Sequence, residues 1–486
     1  MNQKLNSNIL RHGNEVNFFK NRIYTLTQLS GGAFTKMLQS LLDGSEEIIM
    51  LPAYPLLYFP QHWAEWSKKY PKLDNKLITK LLLKHHPSII DTKRMTGHSG
   101  LANLGRNRNE SIIISEKKFK KKFNYYLAQN EISLINTLIS IHLAYACCGK
   151  IKINKNQIIF IHTHDVYTHT LLKKFFKNFK TIYCVRDTIL NLHRRLNILE
   201  KMDEDRFDKS DREFTKNYHY FNMIQMWLAD LKNINKNFFL DKNNLFIKYE
   251  QVIKNKEKYI RKVCSFLKIK YRKNIMSRMT FNSKEWSSDK IYDRKFTNKI
   301  RFMNTKDEIR DSKKNIFPYE IFVLEGVLRN LRKKFKYKNR YYNRSLLNNL
   351  LFVVFVFLPT KHGLSTFFNR INPVNFFKYF IVSFEEILLD SNPKNYYFSA
   401  FYKHKKPNKN MFILQYNFIR KYYFNLCSKF KKRNILTQFF VQYPFLILYF
   451  IFKIILYPYF FVEHLLIYIC KCYLLIKNFL LIRSFS

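Results

Sequence analysis

A chain of 486 residues is longer than one ordinary domain requires, so a catalytic-size core plus a second region is the expectation. Its 85 Lys and Arg against 35 Asp and Glu give a formal charge of +50, but Lys, Asn, Ile, Phe and Tyr are abundant along the whole length. The charge therefore reads as a compositional bias and not as one basic footprint, and without an RNA-binding, zinc-finger or helix-turn-helix pattern no nucleic-acid partner is expected.

The seven cysteines, at positions 147, 148, 184, 264, 427, 470 and 472, form no Cys-x-x-Cys pair and do not stand with histidines at metal spacing. That argues against a zinc module or a disulfide framework, and a reducing, cytoplasmic setting is the simpler reading. The opening MNQKLNSNILRHGNEVNFFKNR lacks the apolar core of a signal peptide, so any membrane attachment is expected elsewhere.

The first periodic element is RIYTLTQLSGGAFTKMLQSLLDG. Ile23 to Leu26 reads as a strand, Ser30, Gly31 and Gly32 as a tight turn, and Phe34, Met37, Leu38 and Leu41 as the buried face of a helix. Backbone N–H groups in such a turn suit phosphate or sulfate, although a plain strand-to-helix turn looks the same. No glycine-lysine pair ends it, so it is not a Walker loop.

From Tyr54 to Gly149 the pattern is irregular, with short helical pieces and the loop GHSGLANLGRNRN, as in an insertion that builds an acceptor pocket. Ile158 to Ile161 is the next apolar strand, and His162, Thr163, His164 and Asp165 stand at its end. Two histidines one residue apart can bind metal, but no third ligand is at a sensible spacing, so no metal is expected and a general base suits them better. A histidine that merely caps the following loop is the bland alternative.

TIYCVRDTILNLHRR, Thr181 to Arg195, is a short buried strand that meets Arg186 and Asp187 abruptly and continues as a helix. Ile189, Leu192, Leu196 and Leu199 share one face of that helix. Arg186 thus stands just beyond a strand's carboxyl end, where open α/β sheets bind ligands, or it forms with Asp187 a capping ion pair. Leu245 to Tyr249 is a further strand, and Ile260, Val263, Cys264 and Leu267 line the helix after it. Four strand ends on one side of a doubly wound parallel α/β sheet then carry polar or aromatic residues.

Taken together, these segments resemble the sulfotransferase family, whose members move a sulfuryl group from 3′-phosphoadenosine 5′-phosphosulfate (PAPS) to an acceptor. QLSGGAFTKML is similar to the family's first loop, His162, Thr163 and His164 to its KTH strand end, Arg186 to Arg194 to its RDPxDxxxS segment, and Tyr249 to Val252 to its YEDL helix. IFPYEIFVLEGVLRNLRKKFKYK, Ile316 to Lys338, resembles its closing helix, so the resemblance spans about residues 20–340. It implies a P-loop-like sulfotransferase fold in which Ser30, Gly31 and Gly32 hold the 5′-phosphosulfate, Arg186 the 3′-phosphate, and Tyr249 the adenine. His164 matches the catalytic base. A further 3′-phosphate contact is expected among Lys284, Trp286, Arg294 and Lys295.

The chain also departs from the family's pattern. The loop cation falls on Leu29, the proline before it on Gln28, and the strand-end lysine on His162; the segment's proline is Thr188 and its phosphate-binding serine is Arg194. Arginine at 194 can still grip phosphate through two donors. Losing a leaving-group donor is worth several kcal/mol, roughly 3–4. Lys36, about a turn along the helix, and His162 are the candidates to replace it.

Beyond about Asn343 the chain turns aromatic and aliphatic, a mainly helical extension over 341–486 being the expectation. Ile435 to Phe452 is uncharged and preceded by KFKKR, Ile454 to Val462 follows, and Ser345 to Thr360 is an earlier, shorter run. A span or re-entrant hairpin, interfacial helices with snorkelling lysines, and a buried helical subdomain are the three readings, with contact to the cytoplasmic membrane face preferred. The chain as a whole reads as a PAPS-dependent sulfotransferase acting on a hydroxylated acceptor, for which a glycan or lipid-linked substrate is attractive. The alternative is a catalytically silent descendant that binds nucleotide or a membrane partner.

Overall fold

The computed structural model describes residues 15–29, 34–94, 101, 104–149, 151–163, 179–202, 236–286, 316–343, 345–355 and 360–362, with single positions between 169 and 227. The chain divides into two units: Met1–Lys201, Met226–Ser312 and Asn330–Tyr337 form one, while Met202–Gln225, Lys313–Arg329 and Lys338–Ser486 form the other.

In the first unit, α1 (Glu15–Phe19) leads into β1 (Ile23–Gln28), then α2 (Thr35–Leu42) and β2 (Ile48–Met50). Four helices follow, α3 (Phe59–Lys69), α4 (Asn75–His85), α5 (Glu116–Ala128) and α6 (Leu134–Cys148). The chain re-enters the sheet as β3 (Ile158–His162) and β4 (Lys180–Val185), continues as α7 (Thr188–Met202) and α8 (Lys236–Leu240), and adds β5 (Asn244–Lys248). Next come α9 (Tyr249–Lys254), α10 (Lys256–Leu267), α11 (Lys273–Met276) and a hairpin of β6 (Thr280–Phe281) and β7 (Lys284–Glu285).

Short polar side chains start several helices where the sequence offers them. Asp74 accepts from Leu77 N–H at 2.7 Å to begin α4, and Ser133 accepts from Asn136 N–H at 3.2 Å to begin α6. The strands are runs of Ile, Val, Thr, Phe and Tyr, residues that fit a pleated, buried surface.

The sheet is parallel throughout, in the order β2-β3-β1-β4-β5. One face, with Tyr24, Leu26, Phe160, Ile182, Cys184 and Ile247, packs on α2 and α10 through Leu38, Leu41, Val263 and Leu267. The other presents Ile23, Ile49, Ile159 and Ile161 to a core built from α1 and α3 to α6, including Phe19, Phe59, Phe123 and Leu138. This is the expected α/β architecture with helices on both faces. From β1 the chain goes to the edge strand β2, returns one place inward to β3, then crosses β1 to β4 and β5, so the winding reverses between β1 and β3. Ligands of such sheets bind at the carboxyl ends of the strands that flank this reversal. The register aligns those ends: Leu26 lies beside His162, Gln28 beside Cys184, and Val185 beside Lys248.

The second unit contains α12 (Pro318–Val327), with Glu320 and Glu325 both buried. Glu320 Oε2 accepts from Phe317 N–H at 2.7 Å, closing the helix start, and burial pushes its carboxyl up to about 7. Glu325 accepts the backbone N–H groups of Arg340, Tyr341 and Tyr342 at 2.8, 2.8 and 3.0 Å. Phe322 meets Tyr342 and Phe355 edge-on, which seats α14 (Leu346–Phe355) on α12; α13 (Arg329–Lys334) belongs, from Asn330 on, to the first unit. The apolar runs at 435–452 and 454–462 lie outside the described residues. Among the described residues no helix is long and apolar enough to cross a membrane.

Candidate active site

Arg186 leaves the end of β4 and is completely buried. Its guanidinium carbon lies 4.1 Å from the centre of the Tyr249 ring, a cation–π contact in a site without bulk water. Tyr249 in turn meets Phe34 at 5.6 Å between ring centres. The structure therefore brings together Arg186 and Tyr249, which stand 63 positions apart in the chain, and adds Phe34, which sequence reasoning assigned only to a helix face. Phe34 has φ 37°, a left-handed conformation unusual for a side chain of its size, at the position that caps α2.

The alternative role of an ion pair at Arg186–Asp187 falls to Asp187 and a distant arginine. Asp187 Oδ1 accepts from Ile189 and Leu190 N–H at 2.9 and 3.3 Å, capping α7, and from Arg332 Nη1 at 2.9 Å. Arg332 also reaches the Thr188 hydroxyl at 3.4 Å. The Asp187 N–H donates to Glu250 Oε1 at 2.8 Å, and Tyr337 O–H donates to Glu250 Oε2 at 2.9 Å. Burial raises the Glu250 carboxyl above its ordinary range, while these donors pull it back. Arg332 and Tyr337 lie in the segment read as a closing helix, but nothing in the local pattern marks their partners.

Lys36 sits two residues inside α2's start, its ammonium 5.8 Å from the Tyr54 ring centre and 5.7 Å from that of Trp286. Burial, then the like charges of Arg194 and Arg195 on α7, lower it to about 7. Lys36 and Arg194 were expected from the sequence; Arg195, Tyr54 and the aromatic setting were not. Trp286 arrives on the β6–β7 hairpin, whose turn is tied to α2's far end: Asp43 accepts from Thr280 Oγ1 at 2.7 Å and from Asn282 and Ser283 N–H at 3.0 Å. Lys284, the other described candidate there, pairs with Glu110.

Leu29 stands where the family places a cation, and its side chain is fully buried. Its N–H donates to Cys184 O at 2.9 Å, which continues the ladder one residue past β1. The position that the resemblance gives to a cation is therefore occupied by a buried apolar side chain.

His162 is held inside the sheet edge. Gln39 Nε2 donates to Leu51 O at 2.6 Å, which turns Gln39 Oε1 toward His162 Nδ1 at 2.9 Å. Nδ1 therefore donates to that oxygen. The ring also meets Tyr54 edge-on at 5.4 Å, so His162, Tyr54 and Lys36 form one continuous set. Ser30, Gly31, Gly32 and His164, and with them Arg294 and Lys295, lie outside the described residues. Among the described residues no group of three His, Cys, Asp or Glu side chains could hold a metal ion.

A family model described as a sulfotransferase domain matches residues 102–320. Residues 102–320 thus carry a sulfotransferase domain, the domain of a sulfotransferase enzyme. No curated protein matches it. Among solved structures, the sulfotransferase domain from the curacin biosynthetic pathway is 12% identical, covers 66% of this chain and 99% of its own, and has a TM-score of 0.35. The sulfotransferase domain of the Synechococcus PCC 7002 olefin synthase is 13% identical, over 60% of this chain and 94% of its own, with a TM-score of 0.31. A sulfotransferase from Mycobacterium avium is 12% identical, over 67% of this chain and 80% of its own, at a TM-score of 0.32.

Proposed function

We propose that the chain transfers a sulfuryl group from PAPS to an acceptor hydroxyl, with the adenosine end of the donor on Arg186 and Tyr249. The observation that carries this reading is the buried guanidinium of Arg186 laid on the Tyr249 ring at the carboxyl ends of β4 and β5. An aromatic face suits a purine, and a desolvated arginine suits a phosphate ester. Lys36, Arg194 and Arg195 add positive charge drawn from two helices, which suits the remaining phosphate groups.

In this reading the acceptor oxygen attacks sulfur in line, forming one S–O bond as the bond to the 5′-phosphate oxygen breaks. The acceptor's proton passes to His164, and adenosine 3′,5′-bisphosphate leaves. Lys36 stabilises the departing phosphate in place of the cation that Leu29 does not supply. His162 steadies the end of β3 through Gln39, two residues before the base. Such a transfer needs positioning and fixed donors more than covalent help.

The experiment is binding of adenosine 3′,5′-bisphosphate against ATP, followed by transfer of labelled sulfate from PAPS to hydroxylated glycan and lipid acceptors. Preference for ATP defeats the donor assignment. His164→Ala should abolish transfer and leave bisphosphate binding within about twofold; survival of transfer reassigns the base. Burial of Leu29 favours a second reading, a bisphosphate-binding protein without transfer, and tight bisphosphate binding with no labelled product on any acceptor selects it.

A further inference from the structure

Arg186 and Tyr249 leave neighbouring strands at the same level, since the β4–β5 register ends on the pair Val185 and Lys248. The strand pairing therefore stops one residue short of the stack. The residues that follow the stack renew the link: the Asp187 N–H donates to Glu250 Oε1 at 2.8 Å. That bond fixes the peptide unit joining Arg186 to Asp187, and with it the direction in which the arginine side chain leaves the backbone. Glu250 is itself held, because its Oε2 accepts from the Tyr337 hydroxyl at 2.9 Å. Burial, then the Glu250 charge, raise the Tyr337 phenol above its ordinary range, so it stays a donor. The Tyr337 ring has the Lys248 ammonium 4.5 Å from its centre, and Phe335 packs at 5.8 Å on Phe246 of β5 and at 5.5 Å on Phe239 of α8. The Tyr337 N–H donates to Arg332 O at 2.9 Å, which closes the end of α13. Two side chains of this segment thus serve different ends: Arg332 the start of α7, through Asp187 Oδ1 and the Thr188 hydroxyl, and Tyr337 the carboxylate behind Arg186 and Tyr249.

We propose that Glu250 and Tyr337 are positioning residues for the donor's 3′-phosphate: the phenol sets the carboxylate, and the carboxylate sets the backbone from which Arg186 reaches the phosphate. Neither residue needs to touch the ligand. The two interactions at the stack differ in how sharply they depend on geometry. A ring face accepts a purine over a range of offsets, whereas a guanidinium holds phosphate oxygens along directed N–H bonds that weaken steeply below about 120°. Loosening the Asp187 N–H should therefore cost the phosphate contact more than the adenine contact. This role rests on the assignment of the 3′-phosphate to Arg186 made above.

The test is calorimetric titration of the full chain with adenosine 3′,5′-bisphosphate and, separately, with adenosine 5′-phosphate, which lacks the 3′ group. Tyr337→Phe removes one oxygen and keeps the ring beside Lys248. It should weaken bisphosphate binding about five- to tenfold and adenosine 5′-phosphate binding by less than about twofold. Glu250→Ala should weaken bisphosphate at least as much. Glu250→Gln should keep it within about threefold, because the amide oxygen still accepts the Asp187 N–H and the amide N–H can donate to the Tyr337 oxygen. Adding Tyr337→Phe to Glu250→Ala should cost less than about twofold more, since the two residues act in one chain of contacts. Equal losses for the two nucleotides mark a general structural role and overturn the proposal. An undiminished preference for bisphosphate in Tyr337→Phe, or additive losses in the double variant, overturn it as well. In all three cases the wild-type preference for bisphosphate keeps the donor reading intact. A wild-type protein that binds the two nucleotides equally, or binds neither, defeats the 3′-phosphate assignment and the proposal with it.

Discussion

Replacing Arg332 by methionine removes the cation from a nearly buried ion pair while preserving the stem that packs around it. Arg332 is 2% exposed and Asp187 15%, with 2.9 Å between the charged atoms. A carboxylate left in such a place without its cation typically costs about 3–5 kcal/mol. Here Asp187 keeps two backbone donors from Ile189 and Leu190 and some contact with water, which offsets part of that loss. We expect about 2–3 kcal/mol of destabilisation. All four tryptophans, Trp63, Trp66, Trp227 and Trp286, belong to the first unit, so urea unfolding followed by tryptophan fluorescence reads the unit that contains the pair. Adding Asp187→Asn, which keeps a cap acceptor but removes the charge, should recover at least about 1 kcal/mol of that loss. Because Asp187 also fixes the start of α7, which carries Arg194, the single variant should bind bisphosphate at least about fivefold more weakly. A cost below about 1 kcal/mol, or strictly additive single changes, would refute the reasoning.

Tyr249→Leu should weaken bisphosphate binding about tenfold by removing the ring under Arg186, and Tyr249→Phe should not, as equilibrium dialysis can show. Asp43→Ala should free the hairpin turn, cost about 2 kcal/mol in the same urea assay, and increase the accessibility of Trp286 to a fluorescence quencher. His62 and His86, joined Nδ1 to Nε2 at 3.0 Å between α3 and α4, are held down to about 4 and about 3, chiefly by burial. Their folded values lie below the unfolded one, so their contribution is fully present above pH 6.5 and is lost as pH falls toward the folded values. The pair should contribute about 2–2.5 kcal/mol per pH unit between pH 6 and 5, and His86→Gln should remove about half of that contribution in urea midpoints measured across the range.

Four of the five strands were legible because each is a short run of β-branched and aromatic residues that ends abruptly in polar ones. β2 was not, since three residues, Ile48 to Met50, carry too little pattern to separate a strand from a loop. Tyr249 was read as a strand's last residue and instead opens α9, because the same apolar ring satisfies either setting and only the hydrogen bonds distinguish them. In the site, Arg186, Tyr249 and Lys36 were visible by their positions after strands or at a helix start. Trp286 was named as a candidate for the 3′-phosphate, but not its place beside Lys36; Arg332, Tyr337 and Asp43 likewise act through partners more than 80 positions away, and no local period encodes such pairings. His164 and the Ser30–Gly31–Gly32 turn remain readings of the sequence.

Leu29 gives the site a history that a repair by analogy would miss. A lysine placed there would carry its charge into a fully buried position just past the end of β1. On the role proposed for Lys36, the buried leucine, the lysine seven positions on, and the tryptophan and tyrosine that flank that lysine act as a set. Transplanting any one of them into a relative, or reverting any one of them here, would be expected to do harm alone, so the route between the two solutions passes through paired changes.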